Sequence, residues 1–506
     1  MRYRSLLYRF MRCETLLSSL LLCASLSAQT LEHEIVLDDG NPATSDSAFG
    51  IVLDPDGVHA YVALCGDLSP FPLPPAPWAP TWNNDQVVKL DLVSGLPVAQ
   101  ATVGHFPEDL AVTLDAGGQT RHVWVANSSG GTVSVLTPDL TAVATVNLPA
   151  CFGQTYGAIF PFGISASSDG SRVYVLGTGC GTIDVIDSDP ASPTFAQVVT
   201  SFSVPNAFGR LAWLSSTDLV VPVTNYVYNP ALGFADGSTT GFTVVDVTNP
   251  ASQTTWMITP FVQFAYPSIT DLEVMPNGLV LAAVGYGNTP EVMEVDPWTG
   301  VVTRQLDLGT QTGVGLHGVA VTADGETAAV TAFNGTEVAL LDLVSFTVRS
   351  IVMTGGVGTI PKPNEVVFTA DESRLAITLQ GLLSGGGARV LVFEALPGFD
   401  LTLATDPVVA LGTPGMFAID DVEAGQDVTV FVSLGPGPTS AGAYTILLDA
   451  PFFPLFTLTG NLAGNAVTTL TPASPALVGT TFFFQAATLD GSGALRLSNS
   501  ASTAIN

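Results

Sequence analysis

One pattern recurs seven times between Phe49 and Phe393 and constrains the fold more than any other feature of the chain. Each copy has a short apolar stretch, a turn of the Asp-Gly type, a second apolar stretch, a polar loop and a third apolar stretch. Gly50–Leu53, Asp56-Gly57 and Ala60–Ala63 begin the first copy. Equivalent positions lie 59, 54, 47, 61, 47 and 47 residues apart, close to the length of one four-stranded propeller blade. The spacing predicts an all-β chain with a seven-bladed β-propeller.

The seventh repeat lacks an outer strand of its own, because Val390–Phe393 passes directly into Leu396-Pro397-Gly398. We expect Glu34–Leu37, ahead of the first repeat, to supply that strand. Closure by the start of the chain removes the unpaired sheet edge that an open array of blades would leave.

The N-terminal residues have the composition of an export signal. Four arginines between Arg2 and Arg12 precede a short apolar core, Leu16–Leu26, so residues 1–28 are predicted to be a signal peptide cleaved after Ala28. No later stretch has the 18 or so consecutive apolar residues that a membrane-spanning helix needs. The expected location is therefore secreted, periplasmic or at the cell surface of a bacterium.

Two further segments follow the signal peptide. Residues 29–398 contain the repeats and are assigned to the propeller. Residues 399–506 have short apolar stretches, such as Val428–Leu434 and Thr481–Ala487, punctuated by Pro and Gly pairs. This pattern predicts a small C-terminal antiparallel β-sandwich.

The charge balance bears on possible partners. The chain has 14 Lys and Arg against 44 Asp and Glu, a formal net charge of −30. Nucleic acid is excluded as an expected partner, because binding it depends on neutralising phosphates with basic side chains. Three cysteines follow the predicted signal peptide; the loops that carry Cys151 and Cys180 emerge on one face of the third blade, so we predict a Cys151–Cys180 disulfide and a free Cys65.

Several short sequence segments resemble the repeat of the YVTN β-propeller family, within the lactonase-like seven-bladed propeller superfamily. They are Gly318–Gly325 (GVAVTADG), Arg172–Leu176 (RVYVL), Thr132–Leu136 (TVSVL) and Thr182–Asp187 (TIDVID). The resemblance covers residues 31–397. It implies a propeller from a family that includes cell-envelope proteins, lactonase-like enzymes and electron-transfer relatives. The C-terminal segment resembles the small β-domains that end secreted bacterial proteins, which implies a role in attachment or sorting.

Alignment of the repeats places polar residues from different blades at two levels near the start of the first strands. One level holds Phe49, Glu108, Phe162, Gly209, Thr270, His317 and Asn364, and the next holds Gly50, Asp109, Gly163, Arg210, Asp271, Gly318 and Glu365. One interpretation is a cation site, or a carboxylate base with an arginine that orients an anionic substrate. The other is a polar channel mouth whose charges pair with one another.

The enzyme interpretation specifies roles for these residues. Glu108, Arg210 and His317 are the candidate catalytic residues. The metal candidates are Glu108, Asp109, Asp271, Asn364 and Glu365, since the resemblance to lactonases implies that Glu, Asp and Asn at the rim hold Ca²⁺ or another divalent cation. No cofactor is required by the alternative interpretation.

Two insertions indicate a binding surface. Gly66–Asp85 in the first repeat carries Trp78 and Trp82 among many prolines, and Tyr226–Gly241 in the fourth carries three aromatic residues, Tyr226, Tyr228 and Phe234. Exposed aromatic side chains on a stiff backbone give contact area at low ordering cost. The leading hypothesis is a non-catalytic propeller that binds a protein or glycan on this face; the alternative is a metal-assisted, lactonase-like hydrolase at the channel mouth.

Overall fold

The computed structural model describes most of the propeller and part of the C-terminal segment. In the propeller it describes residues 31–37, 46–65, 85–149, 161–178, 180–230, 234–285, 290–308, 315–332, 335, 337–354, 362–380 and 388–394. In the C-terminal segment it describes residues 402–405, 408–410, 413–420, 427–434, 439–441, 444–446, 453–459, 465–472, 477–478, 480–489 and 495–505.

The chain divides into two compact units. The larger comprises Leu31–Phe346 and Val352–Ala395, and the smaller includes Leu396–Asn506. The larger unit is a ring of seven four-stranded antiparallel blades: five blades are separate sheets, and blades 1 and 7 are joined into one eight-stranded sheet by the pairing of Ser47 with Gln380. The prediction of an all-β, seven-bladed propeller is confirmed.

Blades 1 to 4 each take four consecutive strands. The strands of blade 1 are β2 (Ser47–Leu53), β3 (His59–Cys65), β4 (Gln86–Asp91) and β5 (Leu96–Thr102), and those of blade 2 are β6 (Pro107–Leu114), β7 (Thr120–Asn127), β8 (Thr132–Leu136) and β9 (Ala142–Asn147). The strands of blade 3 are β10 (Pro161–Ala166), β11 (Arg172–Gly177), β12 (Thr182–Asp187) and β13 (Val198–Ser203), and those of blade 4 are β14 (Ala212–Trp213), β15 (Asp218–Asn229), β16 (Phe234–Asp246) and β17 (Gln253–Met257).

Blades 5 and 6 follow the same order, and blade 7 begins it. The strands of blade 5 are β18 (Ser268–Val274), β19 (Val280–Gly285), β20 (Glu291–Val295) and β21 (Val302–Asp307), and those of blade 6 are β22 (Leu316–Val321), β23 (Thr327–Ala332), β24 (Glu337–Asp342) and β25 (Thr347–Met353). Blade 7 starts with β26 (Lys362–Phe368), β27 (Arg374–Gln380) and β28 (Arg389–Glu394).

The N-terminal strand β1 (Leu31–Val36) closes the ring. It pairs antiparallel with β28, with Ile35 opposite Val390 and Glu34 opposite Leu391. This confirms that the start of the chain supplies the outer strand of blade 7, with the strand beginning three residues before the predicted Glu34. Two ion pairs, Arg374–Glu32 at 2.6 Å and Arg389–Glu34 at 2.5 Å, add to the pairing.

The order of the strands within a blade follows from their burial. The second and third strands are apolar on both faces, because each blade packs between two neighbours; Tyr61, Val125 and Leu110 from blades 1 and 2 share one such core. The outer strands alternate, as in β5, where exposed and partly buried residues follow each other. The turns between the first and second strands need a residue with a left-handed backbone conformation. Gly57 and Gly325 adopt it, with φ of 73° and 74°.

The smaller unit is a β-sandwich, as predicted. One sheet has the order β29 (Thr402–Thr405), β31 (Gly415–Asp420), β36 (Asn465–Leu470), and the other has the order β30 (Val408–Val409), β38 (Leu495–Ile505), β37 (Thr481–Leu489), β32 (Asp427–Ser433), β35 (Phe453–Thr459). A hairpin of β33 (Thr439–Ala441) and β34 (Tyr444–Ile446) is separate. Phe417 of the first sheet meets Phe484 of the second edge to face, with ring centroids 4.9 Å apart, so the core lies between the sheets.

Two further sequence predictions concern cysteines and membrane segments. Cys65 is a buried free thiol and Cys180 is in a disulfide. Cys151, the predicted partner of Cys180, lies outside the described residues, so that pairing stays a prediction. No helix among the residues placed by the structure is long and apolar enough to cross a membrane.

Closure by β1 can be tested with two neighbouring residues. Ile35 is buried in the core between β28 and blade 1, whereas Val36 is exposed. We expect Ile35→Ala to lower the free energy of unfolding by about 2–4 kcal/mol and Val36→Ala to lower it by about 0.5 kcal/mol or less. All six tryptophans lie between Trp78 and Trp298, so tryptophan fluorescence during denaturant unfolding reports on the propeller. Equal losses for the two variants would show that β1 does not contribute to the propeller core.

Candidate functional site

The first strands of the blades bring the predicted polar residues together near the axis. The strongest contacts involve Arg210, which lies just before β14 in blade 4. Its Nη2 is 2.9 Å from Oδ1 of Asp109 in blade 2, and its Nη1 is 2.6 Å from Oε2 of Glu365 in blade 7. His317 of blade 6 places Nδ1 3.3 Å from Oε1 of Glu365. Blades 2, 4 and 7 are thus linked by ion pairs of Arg210, and His317 of blade 6 lies beside them. We call Asp109, Arg210, His317 and Glu365 the axial cluster.

Asp109 and Asp271 also have a structural role that the sequence analysis did not assign. One oxygen of each carboxylate accepts the amide N–H of the following residue, Leu110 or Leu272, at 2.9 Å. The other oxygen accepts an amide of the next blade: Ile164 for Asp109 at 3.0 Å, and Val319 for Asp271 at 2.9 Å. Each aspartate therefore joins its own blade to the following one through backbone hydrogen bonds.

Glycine occupies the same level in blades 1, 3 and 6 because the neighbouring backbone leaves no room for a Cβ atom. A Cβ on Gly50 would lie 2.6 Å from the carbonyl oxygen of Glu108, and one on Gly163 would lie 2.6 Å from that of Gly209. A Cβ on Gly318 would lie 2.7 Å from the carbonyl oxygen of Asn364. Such distances are not tolerated without a backbone shift, so these glycines permit the close approach of the first strands.

The remaining ring candidates have partners outside the axial cluster. The carboxylate of Glu108 accepts a hydrogen bond from the hydroxyl of Ser128, which also contacts the carbonyl oxygen of Pro161 at 2.6 Å. The side-chain oxygen of Asn364 accepts a hydrogen bond from Nε2 of Gln380 at 2.9 Å. Neither side chain points its oxygen at Arg210 within hydrogen-bond distance in the contacts that the structure gives.

Burial changes the ionisation of this region. It raises the pKa of Glu108 and of Glu365 to about 8 and that of Asp271 to about 7, although the positive charge of Arg210 acts in the opposite direction. Burial, with Arg210 as the second cause, lowers the pKa of His317 to about 4. His317 is therefore neutral at physiological pH, and the buried carboxylates outnumber their single arginine.

The described residues contain no group of three or more His, Cys, Asp and Glu side chains arranged to hold a metal ion. The contacts above explain this: amide groups occupy both oxygens of Asp109 and of Asp271, and Arg210 occupies Glu365. The geometry thus supports the interpretation in which the ring charges pair with one another. The metal set of Glu108, Asp109, Asp271, Asn364 and Glu365 and the catalytic set of Glu108, Arg210 and His317 remain predictions.

A cavity of about 550 Å³ occupies the axis on one side of the axial cluster. Its lining runs from Asp109, Arg210 and Asp271 to residues at the far ends of the first strands, such as Leu53 and Phe368. The open space therefore lies towards the ends of these strands, whereas the sequence analysis expected a ligand where they begin.

Glu273 is a cavity residue that the sequence analysis missed. It lies two residues after Asp271 on β18 and is exposed within the channel, although the five residues before it on the strand are buried. Extending the repeat alignment by two positions would have found it, because the other blades place Val52, Ala111, Ser165, Ala212, Ala320 and Val367 at this level.

The predicted binding insertions are only partly described. Trp78 and Trp82 lie outside the described residues. Tyr226 and Tyr228 are 58% and 63% exposed near the end of β15, and Phe234 begins β16. The hairpin extends blade 4 on the side where the first strands begin, as predicted.

A second exposed segment lies beside this hairpin and was not identified from the sequence. Phe261, Val262 and Phe264, between β17 and β18, are exposed by 44%, 45% and 60%. A Cβ on Gly237 of the hairpin would lie 2.6 Å from the ring of Phe261, so the two segments are in contact. We call Tyr226, Val227, Tyr228, Phe261, Val262 and Phe264 the aromatic patch.

Comparisons with known proteins agree with the propeller fold. No family model matches the chain, and no curated protein matches it. Among solved structures, hydrazine synthase of Kuenenia stuttgartiensis matches with a TM-score of 0.50 and 16% identity, over 71% of this chain and 97% of that one. The Swd1 β-propeller domain of Myceliophteria thermophila matches with a TM-score of 0.48 and 12% identity, over 73% of this chain and 100% of that one. At 16% identity, the likeness to hydrazine synthase concerns the fold alone.

The shifted carboxylates predict that propeller stability decreases as pH rises. Carboxyl groups in unfolded chains have pKa values near 4, whereas those of Glu108, Asp271 and Glu365 are about 7 to 8 in the fold. The folded state therefore holds more protons between these values, so its stability is highest at the acidic end and is lost as pH rises towards 8. The lowered pKa of His317 acts in the opposite direction below about pH 6.5, but it is one group against several carboxylates.

Denaturant unfolding of the full chain at several values between pH 5 and pH 8, followed by tryptophan fluorescence, measures this slope. Glu108→Gln, which is neutral and of equal size, should make the slope shallower. Glu326→Gln, at an exposed position, should leave it unchanged. A stability that rises towards pH 8 would contradict the assignment of raised pKa values.

Removal of Arg210 should be strongly destabilising because it leaves Asp109 and Glu365 buried without their cation. We expect Arg210→Met to lower the free energy of unfolding at pH 8 by about 3–5 kcal/mol, and by less at pH 5, where Glu365, with a pKa of about 8, is protonated. Arg389→Met, which breaks the partly exposed pair with Glu34, should cost about 1 kcal/mol or less. A pH-independent loss for Arg210→Met would argue against the electrostatic role.

Proposed function

We propose that this protein is a non-catalytic propeller scaffold that binds a protein partner through the aromatic patch. The observation that carries the proposal is the exposure of Tyr226, Tyr228 and Phe264 on backbone that is fixed by hydrogen bonds. Tyrosine and other aromatic residues are enriched among the side chains that contribute most to protein–protein binding. Solvent exposure of several such residues side by side is typical of an interaction site.

The hairpin supports the patch from one side. β15 and β16 remain paired beyond the blade, with Tyr226 opposite Ser238 and Tyr228 opposite Ala235. A side-chain hydrogen bond of 2.7 Å between Asn229 and Asp236 holds the end of the hairpin. The tyrosines therefore both lie on paired strands, with a shift of the register between them.

The neighbouring loop is fixed by the same hairpin. The amide of Ser238 donates to the carbonyl oxygen of Ala265 at 2.9 Å, and the amide of Phe264 donates to that of Asp236 at 2.5 Å. The Tyr266 hydroxyl donates to the carbonyl oxygen of Ala235 at 2.9 Å. Phe264 has a φ of 62°, a left-handed conformation that costs a non-glycine residue about 1–3 kcal/mol and is frequent at functional sites.

This rigidity favours binding because little conformational entropy remains to be lost on association. An immobilised flexible side chain costs about 0.5–1.5 kcal/mol at an interface, and a tyrosine on a paired strand has only two side-chain torsions to fix. The patch is thus organised before a partner arrives.

The polar groups near the patch favour a protein over a glycan. Recognition of a sugar needs polar side chains beside the aromatic rings that can bond its hydroxyl groups. Here the side chain of Asp236 accepts hydrogen bonds from Asn229 at 2.7 Å and from Gln263 at 3.5 Å, so these groups bond to one another. Most of the contact area that remains comes from aromatic rings and from Val227 and Val262, as in the centre of protein interfaces.

The charge of the chain indicates the kind of protein that fits. With a net charge of −30, it repels acidic partners at long range and attracts basic ones. The proposed partner therefore has an apolar contact surface surrounded by neutral or basic residues.

The place of action is part of the proposal. The arginine-rich start and apolar core of residues 1–28 support export to the periplasm, the cell surface or the medium. The repeat resemblance to YVTN propellers of the cell envelope is consistent with this, and the C-terminal sandwich then serves as a spacer or attachment module.

Site-specific cross-linking in the producing organism tests the proposal. A photoreactive phenylalanine analogue at position 228 should form a covalent adduct with one defined protein, and the same analogue at Trp298, an exposed tryptophan in the turn between β20 and β21, should not. With the purified partner, Tyr226→Ala combined with Tyr228→Ala should weaken binding at least tenfold, which corresponds to about 1.4 kcal/mol.

The control for this measurement is Trp298→Ala, which removes an aromatic residue of similar exposure away from the patch. An unchanged affinity in the Tyr226/Tyr228 variant, or adducts at position 228 that carry only polysaccharide, would overturn the protein-binding proposal.

A further inference from the structure

Residues of all seven blades line the axial cavity; most have apolar side chains, although the surface that they expose to it is more polar than apolar. Val52 of blade 1, Ala320 of blade 6 and residues of the first strands of the other blades line the channel. Its volume of about 550 Å³ is within the range of small-molecule sites, which are typically concave and apolar with a few polar groups. The axial cluster closes one end with Arg210 and Asp109.

Glu273 is the charged group that stands free in this space. At its level the cavity is lined by Val52, Ser165, Ala212, Ala320 and Val367, which are small or apolar. Within the part of the chain that the structure describes, the Glu273 carboxylate has no hydrogen bond or ion pair to another side chain. It points into the channel from a strand whose preceding residues are buried.

The charges around the cavity leave Glu273 without a cation. Arg210 is the basic residue in the lining, and its guanidinium group already pairs with Asp109 and Glu365. Asp271 is held by backbone amides, which carry no net charge. In its ionised form Glu273 therefore has no cation of the lining left to pair with, and a bound cation would supply one.

We infer that the channel binds a small organic cation, with a primary ammonium group against Glu273 and an apolar body against the walls. A divalent metal ion fits less well, since Ca²⁺ takes 6–8 oxygen ligands and the other carboxylates of the lining have their oxygens in use. A short alkyl chain, by contrast, can lie against the Val and Ala side chains at the level of Glu273 and gains free energy by leaving water.

Ionisation of Glu273 links ligand binding to proton release. Partial loss of hydration inside the channel, with the negative charge of Asp271 as the second cause, raises the pKa of Glu273 to about 8, although Arg210 lowers it. At pH 7, Glu273 is then protonated in most of the molecules whose channel is empty. An ammonium group favours the carboxylate form, so its binding should release a proton to the buffer.

Calorimetry of the full chain with n-hexylammonium chloride tests the inference. We expect one saturable site at pH 7, with binding at least tenfold weaker for hexanol and none for hexanoate. The observed enthalpy should depend on the ionisation enthalpy of the buffer, as expected for release of a proton. Glu273→Gln should reduce the affinity for hexylammonium at least tenfold, to that of hexanol, and abolish the buffer dependence.

Matched controls separate this site from other effects. Glu326→Gln removes an exposed carboxylate and should leave hexylammonium binding unchanged, while tryptophan fluorescence and circular dichroism verify that each variant is folded. No saturable binding to the folded wild-type chain, equal binding of hexanol, or an unaffected Glu273→Gln variant would overturn the inference. Displacement of bound hexylammonium by CaCl₂ at a lower concentration than that of hexylammonium would indicate a metal site instead.

The inference is independent of the proposed protein partner. The cavity opens towards the ends of the first strands, whereas the hairpin with Tyr226 and Tyr228 extends from the side where they begin. The double tyrosine variant should therefore bind hexylammonium like the wild type, and failure of either proposal leaves the other standing.

Discussion

The first strands of the seven blades approach one another so closely at the axis that backbone lies against backbone. Gly50, Gly163 and Gly318 make this approach possible, because any Cβ atom there would meet a carbonyl oxygen of the next blade at 2.6 or 2.7 Å. The space that the glycines leave is taken by charged side chains of the other blades, chiefly Arg210. Packing at the centre of the ring therefore depends on glycines in some blades and long charged side chains in the others. The same charged side chains determine the electrostatics of the channel.

Several carboxylates share one arginine at this centre, and the fold accommodates them in three ways. Asp109 and Glu365 pair with Arg210 directly. Asp271 is stabilised by two backbone amides. Glu108 and Glu273 shift their pKa values to about 8, so that protonation replaces a counter-charge. A ring with so many acidic groups is stable because each carboxylate either has a partner or is protonated, so few unpaired negative charges are present together.

The sequence was sufficient to predict the propeller architecture because the same sequence pattern recurs in every blade. The Asp-Gly turns and the spacing of Gly50, Asp109 and their equivalents predict the blades, and the missing outer strand after Val390–Phe393 predicts closure by the N-terminal strand. The contacts of the ring residues were less accessible: whether Asp271 faces a metal, an arginine or an amide depends on bulges in the first strands, such as that between Ile269 and Asp271. Glu273 was missed because it stands out only by comparison with the other blades, which have Val, Ala or Ser at the equivalent position.

The two proposed binding sites draw on different properties of the same fold. The aromatic patch exists because one hairpin, β15 with β16, continues past its blade, and the loop from Phe261 to Phe264 is bonded to it; a longer or shorter hairpin would change the patch without changing the ring. The channel, in contrast, is formed by residues from all seven blades, so its shape is tied to the blade number and its charge to single positions such as Arg210 and Glu273. A chain built this way can alter partner recognition through insertions and ligand recognition through single substitutions at the axis. The first strands that line the channel are the part that neither kind of change can readily replace, because the same strands hold the blades together.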